Sequence, residues 1–415
     1  MQKYRKGYIV EILSKLKDKQ TFIDFIEEKE KGDFTPQKEI NAYKRILNKG
    51  KVLDIAKKIA DGEYSFTLPK KIVINKIGKR KKRIVYSFTR EENFILKVIA
   101  NLLHCYDDLF PKNLFSFRKS YNTQIAVKKI INIKKRHKVY AYKLDIHSYF
   151  NSINPEVILK DLEKYIKEEK LLKLFSMLLN NHLVFDQGKT YEEVMGIIPG
   201  MPLSSFMANL YLRDLDLYFY QNKKYYFRYA DDIIILNTNL ETLNQDKKFL
   251  LNFLKTKGLI VNPDKESFFD YKDPLTFLGF EIGKDYVDIA KSTYMKIKGK
   301  IKRRAKLLIR RKHYFNLTNA QVLTNMNKRF NNKFYSKDST LCWEFYYFPL
   351  VTRPDTFKKI DEYMQENQRY IVTEKHNKAN FQRVDYDFLK ECGYKPLVTE
   401  YYKFKNKKVG IVQND

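Results

Sequence analysis

Phe227-Arg228-Tyr229-Ala230-Asp231-Asp232-Ile233-Ile234-Ile235-Leu236 is the stretch on which the reading of the fold turns. Aromatic residues precede a two-carboxylate tip and β-branched residues follow it. That pattern predicts two short strands with the acids at or beside a tight turn, a hairpin. Adjacent ionised aspartates repel and raise each other's proton affinity, and a hard divalent cation such as Mg2+ relieves the repulsion. An Asp-Asp turn that simply faces water fits the same stretch, because Asp is a common turn residue.

A third carboxylate favours the cation. Lys143-Leu144-Asp145-Ile146-His147-Ser148-Tyr149-Phe150-Asn151-Ser152-Ile153 reads as a short buried strand ending at Asp145, followed by a helical turn. Two adjacent strands carrying one and two aspartates make the constellation of two-metal phosphoryl transfer, in which one ion activates the attacking oxygen and the other steadies the leaving group.

Tyr229-Ala230-Asp231-Asp232 resembles the Y-x-D-D box of reverse transcriptases, and Asp145 falls where that family keeps its first metal-binding Asp. Gly196-Ile197-Ile198-Pro199-Gly200-Met201-Pro202-Leu203-Ser204-Ser205-Phe206-Met207-Ala208-Asn209-Leu210-Tyr211-Leu212 is similar to the block between them in the bacterial style. Phe277-Leu278-Gly279-Phe280 resembles the primer-grip hairpin, and Asn262-Pro263-Asp264-Lys265 the lysine-bearing loop before it. The blocks stand in the family's order and cover about 60–290.

The resemblance implies an α+β right-hand polymerase with fingers, an antiparallel-sheet palm and a helical thumb. It implies dNTP addition to a primer on an RNA template, with DNA as product. Two Mg2+ ions, or Mn2+ as a substitute, would be held by Asp145, Asp231 and Asp232, helped by the Ile146 carbonyl. The nucleotide would lie against Phe150, Pro199, Gly200 and Lys265, with Lys265 protonating or contacting the departing pyrophosphate. Phe150 stands where the family keeps a ring beneath the incoming sugar, and Tyr149 is the rival. Many relatives carry Gln where Pro199 aligns, so that side chain is lost for nucleotide selection. The primer end would sit on Phe277, Leu278 and Gly279, although a plain core hairpin fits the same residues. The resemblance leans to bacterial unclassified and defence-associated enzymes, toward their type 2, which work with a companion non-coding RNA. Retron, diversity-generating and group II intron enzymes are the alternatives within the class. A catalytically inactive RNA-binding scaffold or effector is the alternative outside it.

The chain has 415 residues, enough for two or three subdomains around one large core. Its 80 Lys and Arg against 49 acids give a formal charge of +31 and argue for a polyanion partner. The 31 Tyr and 30 Phe supply core and faces on which bases can stack. No apolar run approaches the roughly 18 to 20 residues that span a bilayer, and no signal-type segment opens the sequence, so no membrane and a cytoplasmic location are expected. Cys105, Cys342 and Cys392 form no ligand spacing with the histidines and are expected as reduced thiols.

Residues 1–65 carry helical apolar spacing and read as an N-terminal extension of the fingers, 66–290 as fingers and palm, and 291–415 as a basic thumb with a C-terminal segment. Within the second region, Phe66 to Lys76 and Lys79 to Tyr86 form two β-rich runs joined by a basic loop at Gly78. Lys82 and Arg83 there can grip a triphosphate or template backbone, or merely face solvent. Arg118, in a segment similar to the family's S-F-R, can hold template phosphate or cap the helix that begins near Thr123. Gly200 is expected to let backbone approach the templating base pair, and Ser204 or Ser205 to cap the next helix. Helices are expected over 155–182 and from Asp246 to Lys257. From 291 to 330 there are 13 Lys and Arg and no acid. This predicts a thumb helix whose Lys302, Arg303, Arg304 and Lys306 track phosphates. Further helices are expected at about 354–370 and 384–392.

Overall fold

Eleven strands are described, and in chain order they are β1 (Lys70–Asn75), β2 (Lys82–Ser87), β3 (Tyr140–Asp145), β4 (Leu183–Asp186), β5 (Lys189–Glu192), β6 (Tyr225–Tyr229), β7 (Asp232–Asn237), β8 (Ser267–Phe269), β9 (Leu275–Phe277), β10 (Phe280–Ile282) and β11 (Val287–Ile289). They belong to a computed structural model that describes residues 11–32, 35–75, 82–193, 196–339 and 341–412. The expected Gly78 loop and the side chains of Lys82 and Arg83 lie outside the described part.

The central sheet has the order β6-β7-β3-β8 and is antiparallel throughout. It is covered on both faces, which is why β7 is apolar without a break from Ile233 to Leu236. Tyr142, Leu144, Ile233 and Ile235 enter one core, built with the helices of the N-terminal half. Ala141, Phe227, Ile234 and Leu236 enter a second core, built with the C-terminal helices. The expected helix from Asp246 starts earlier, at Leu240–Thr256, because Asn239 caps it through the Thr242 N–H.

The first core includes the helices Lys19–Lys31, Gln37–Asn48, Lys51–Asp61 and Arg90–Leu102. The span 155–182 resolves into two helices, Pro155–Tyr165 and Glu169–Leu179. Glu168 between them accepts from the backbone N–H groups of Ile12 at 2.6 Å and Leu13 at 2.9 Å, which ties the N-terminal segment to the core. A hairpin that the sequence reading did not include, β4–β5, joins β1 in parallel through Lys70 and Phe185 and makes the sheet β2-β1-β4-β5.

A third sheet, β11-β10-β9, carries the β9–β10 hairpin. Its two turn residues both have positive φ, Leu278 at 50° and Gly279 at 85°, as a type I′ turn requires. Beyond it, the helix Lys291–Tyr314 buries the stripe Ile297, Ile301, Ala305 and Leu308. It packs on the helices Asn319–Tyr335 and Asp355–Thr373. The first of these was not in the sequence reading, although Thr318 and Gln321 form a capping box at its start. Cys342 and Cys392 are buried, Cys105 is exposed, and all three are free thiols. Among the described residues no helix is long and apolar enough to cross a membrane.

Candidate active site

β3 and β7 run side by side so that Asp145 lies directly opposite Asp232 at the end of the ladder. Tyr229 pairs with Asp232, which leaves Ala230-Asp231 as a two-residue turn between β6 and β7, with Ala230 at φ 56°. The Ile146 N–H donates to the Asp231 carbonyl at 3.0 Å, so the first aspartate's strand and the turn are locked together. All three aspartates therefore converge on one corner of the sheet, on the side of the second core.

Two lysines attend this corner. Lys265, from the loop after Asn262, places Nζ 2.5 Å from Asp145 Oδ1. That loop is held by the Asn262 N–H donating to the Asp145 carbonyl at 2.8 Å. Lys143, which sequence reasoning missed, lies 3.3 Å from Asp232 Oδ1 as an ion pair without a hydrogen bond. Its signal was available, since a residue two places before Asp145 on a strand shares that side chain's face. Burial, and then the charges of Asp231 and Asp145, push the Asp232 carboxyl up to about 6 against the pull of Lys143.

Among the described residues no group of three or more His, Cys, Asp or Glu side chains forms a ready metal cage. The donor set still suits Mg2+: hard carboxylates in an open arrangement, with Asp232 Oδ1 buried and lacking a hydrogen bond. In the metal-free protein the raised proton affinity of Asp232 means that protons compete with the cation. Mn2+ affinity, read by electron paramagnetic resonance, is expected to fall as pH drops through about 6. A flat affinity between about pH 5 and about pH 7.5 would remove Asp232 from the ligand set. The same group's contribution to metal-free stability is present below its unfolded value near 3.8 and is lost as pH rises through about 6.

Tyr149 and Phe150 lie on a single helical turn, Tyr149–Ser152. Tyr149 is 2% exposed and donates its hydroxyl to the Ala208 carbonyl, whereas Phe150 is half-buried. The Phe150 carbonyl accepts from the Ile197 N–H at 2.9 Å, bringing the Pro199-Gly200 loop beside it. The Pro199 carbonyl accepts from the Tyr86 N–H at 2.8 Å, and a Cβ on Gly200 (φ 100°) would lie 2.8 Å from the Tyr86 carbonyl oxygen. The glycine is thus required by the chain's own strand β2, a nearer reason than the expected approach to a base pair. Lys82 and Arg83 belong to this same strand.

Other expectations are corrected. Neither Ser204 nor Ser205 caps the helix Ser204–Tyr211; Ser204 Oγ donates to the Ile198 carbonyl at 2.7 Å. Arg118 does not cap the helix at Thr123, where Asn122 does so. Its guanidinium donates to the carbonyls of Asp107 at 2.9 Å and Pro111 at 2.8 Å and stacks 4.1 Å from the Tyr121 ring, which favours a clamp on its own loop over a phosphate contact. Phe277 and Phe280 are fully buried, so of the expected primer seat Phe277 is withdrawn into the core and the half-buried Leu278-Gly279 tip remains. On the basic helix Lys302, Arg303 and Lys306 are exposed, whereas Arg304 is half-buried and donates to Asn325 Oδ1 of the neighbouring helix.

Beneath the turn lies a polar network absent from the sequence reading. Arg228 and Asp216 are both fully buried and form an ion pair, Nε to Oδ1 at 2.7 Å. A charged residue inside an apolar strand was the available signal, because an interior charge needs a partner. Removing one partner of such a pair costs roughly 3–5 kcal/mol.

A family model described as reverse transcriptase (RNA-dependent DNA polymerase) matches residues 74–282. The chain belongs to the reverse transcriptase family. Its mixed helices and sheets centre on the antiparallel four-stranded sheet that carries the three aspartates. The chain is 28% identical over 148 residues to the retron Ec83 reverse transcriptase of Escherichia coli, an overlap of 33% of this chain and 46% of that protein. It is 21% identical over 235 residues to a putative COX1/OXI3 intron 1 protein of Saccharomyces cerevisiae, covering 42% of this chain and 28% of that one. It spans less than half the length of either relative. Telomerase from Candida albicans, solved with a fragment of telomeric RNA, overlaps 83% of this chain and 67% of its own at 13% identity and a TM-score of 0.44.

Proposed function

We propose that the chain is an RNA-directed DNA polymerase that adds dNTPs to a primer 3′ end on an RNA template and releases pyrophosphate. The observation that carries this is the register of β3 against β7, which sets Asp145 opposite Asp232 with Asp231 on the adjoining turn. Asp145, Asp231 and Asp232, helped by the Ile146 carbonyl, would hold two Mg2+ ions, or Mn2+ in their place. Such ions activate the primer hydroxyl and neutralise charge on the phosphates. The protein's own groups do the rest. Lys265, now paired with Asp145, is the cation within reach of the departing pyrophosphate. Phe150, Pro199 and Gly200 line the nucleotide's place, Lys82 and Arg83 serve its triphosphate from β2, and the Leu278-Gly279 tip seats the primer.

In this reading residues 1–65 extend the fingers, 66–290 are fingers and palm, and 291–415 are the thumb. The run of 13 Lys and Arg with no acid over 291–330, with Lys302, Arg303 and Lys306 exposed, supports a polyanion on the thumb. Replacing the exposed Lys302, Arg303 and Lys306 with Gln is expected to weaken template-primer binding. It should also flatten the salt dependence by about 2 to 3 in log-log slope, at roughly 0.7–0.9 per phosphate contact. An unchanged slope in a binding titration would make this face merely solvated.

We place the enzyme in the cytoplasm, in antiphage defence, with a companion non-coding RNA as template. The retron relative favours a second reading, a retron-type reverse transcriptase. Extension of an annealed primer on an RNA template with dNTPs and Mg2+ tests the activity, and its absence would leave the RNA-binding scaffold. Sequencing RNA and cDNA copurified from the native host separates the two biological readings.

A further inference from the structure

Ala230, the first residue of the catalytic turn, holds φ 56°, a left-handed conformation disfavoured for any residue with a Cβ. Both of its backbone polar groups are taken by buried side chains from outside the turn. Ser116 Oγ accepts from the Ala230 N–H at 2.9 Å, and Arg228 Nη1 donates to the Ala230 carbonyl at 3.4 Å.

Each of these side chains is itself fixed. The Ser116 hydroxyl donates to Asn209 Oδ1 at 3.3 Å, while Asn209 Nδ2 returns a bond to the Ser116 carbonyl at 3.0 Å. Arg228 Nη2 donates to the Asn209 carbonyl at 3.1 Å and the guanidinium pairs with Asp216. Tyr226 donates its hydroxyl to Asp216 Oδ1 at 2.8 Å, and Asn113 donates to the Asp216 carbonyl at 2.8 Å. Ser116, Asn209, Asp216 and Arg228 are each at most 1% exposed. Three separate elements thus converge on one strained residue: the segment at 113–116, the helix Ser204–Tyr211 and the helix Arg213–Gln221.

We propose that Ser116, oriented by Asn209, and Arg228, held by Asp216, are positioning residues that clamp Ala230 from both sides and so fix where the Asp231 carboxylate points. Replacing a buried ion pair by well-packed apolar side chains is often neutral or stabilising, so stability alone does not account for Arg228 and Asp216. The polar groups are instead directed at the one backbone unit whose conformation sets the carboxylate. The kinetic part of this inference rests on the polymerase reading, and its metal-binding part does not.

Ser116→Ala is the variant of choice, because it removes one hydroxyl and leaves the ion pair whole. In the full chain it is expected to weaken Mn2+ binding and to lower kcat for primer extension, each by about tenfold to thirtyfold, the order that a small misplacement of a reacting group produces. KM for dNTP and the melting temperature should move little. In an Ala230→Gly background, where positive φ is no longer disfavoured, the penalty of Ser116→Ala should shrink by at least about threefold, a coupling that a double-mutant cycle reads directly. Three results overturn the proposal: Mn2+ affinity and kcat within about twofold of wild type, a penalty undiminished by Ala230→Gly, or a loss that merely follows the folded fraction. Wild-type protein that binds Mn2+ but never extends a primer defeats the polymerase reading instead, and the Mn2+ cycle still decides the clamp.

Discussion

Asp145→Ala and Asp231→Ala are each expected to cut primer extension below about a hundredth of wild type while RNA binding survives; a hundredfold corresponds to about 2.7 kcal/mol of transition-state stabilisation. In the proposed reading each of these carboxylates would hold metal, and in two-metal phosphoryl transfer both the attacking and the leaving oxygen depend on the ions. Asp232→Ala should abolish extension as well, but it also leaves the partly buried Lys143 ammonium without its carboxylate. Its loss therefore needs a melting curve beside it. Asp145→Ala has the opposite side effect, since it releases Lys265 from a 2.5 Å ion pair without burying a charge, Lys265 being half exposed. Residual extension above about a hundredth in the Asp145 or Asp231 variant, measured on folded protein, would sink the assignment of the site.

The carboxylates were legible because their signals are local. Aromatic and β-branched residues around an Asp pair specify strands and a turn, and the period of two fixes which side chains share a face. The β4–β5 hairpin carries an equally local signal: its turn Gln187-Gly188 has φ 47° and 84°, the two-residue form that glycine marks. What no local pattern discloses is where a polar side chain spends its donors. Arg118 looks like a phosphate ligand until the carbonyls of Asp107 and Pro111 are seen to surround it. Arg304 sits among exposed cations in sequence yet faces Asn325, because a helix alternates its faces faster than a charge run does. Gly200 is explained by a strand more than a hundred residues earlier. These are facts of tertiary contact, and in each case the residue type was right while its partner was out of reach.

Phe150→Ala is expected to admit rNTPs far more readily while keeping some dNTP incorporation. In the proposed nucleotide site the Phe150 ring would lie beneath the incoming sugar, where a ribose 2′-OH would collide with it and a deoxyribose would not. Of the two adjacent rings, only one is free to take that place. Tyr149 and Phe150 lie on one helical turn, so their side chains project about 100° apart. Tyr149 points into the core, with its hydroxyl donating to the Ala208 carbonyl. Phe150 remains half-buried, and its carbonyl is bonded to the loop that carries Pro199 and Gly200. Removing the ring should lower the dNTP over rNTP ratio of kcat/KM by about tenfold to a hundredfold, on the order of 1–3 kcal/mol, as for other steric pocket discriminations. Tyr149→Phe, which keeps the buried ring and loses only one hydrogen bond, should leave the ratio intact. If the ratio fell for Tyr149→Phe and stayed unchanged for Phe150→Ala, the sugar would have to lie against the other face of this turn, and the nucleotide site would move with it.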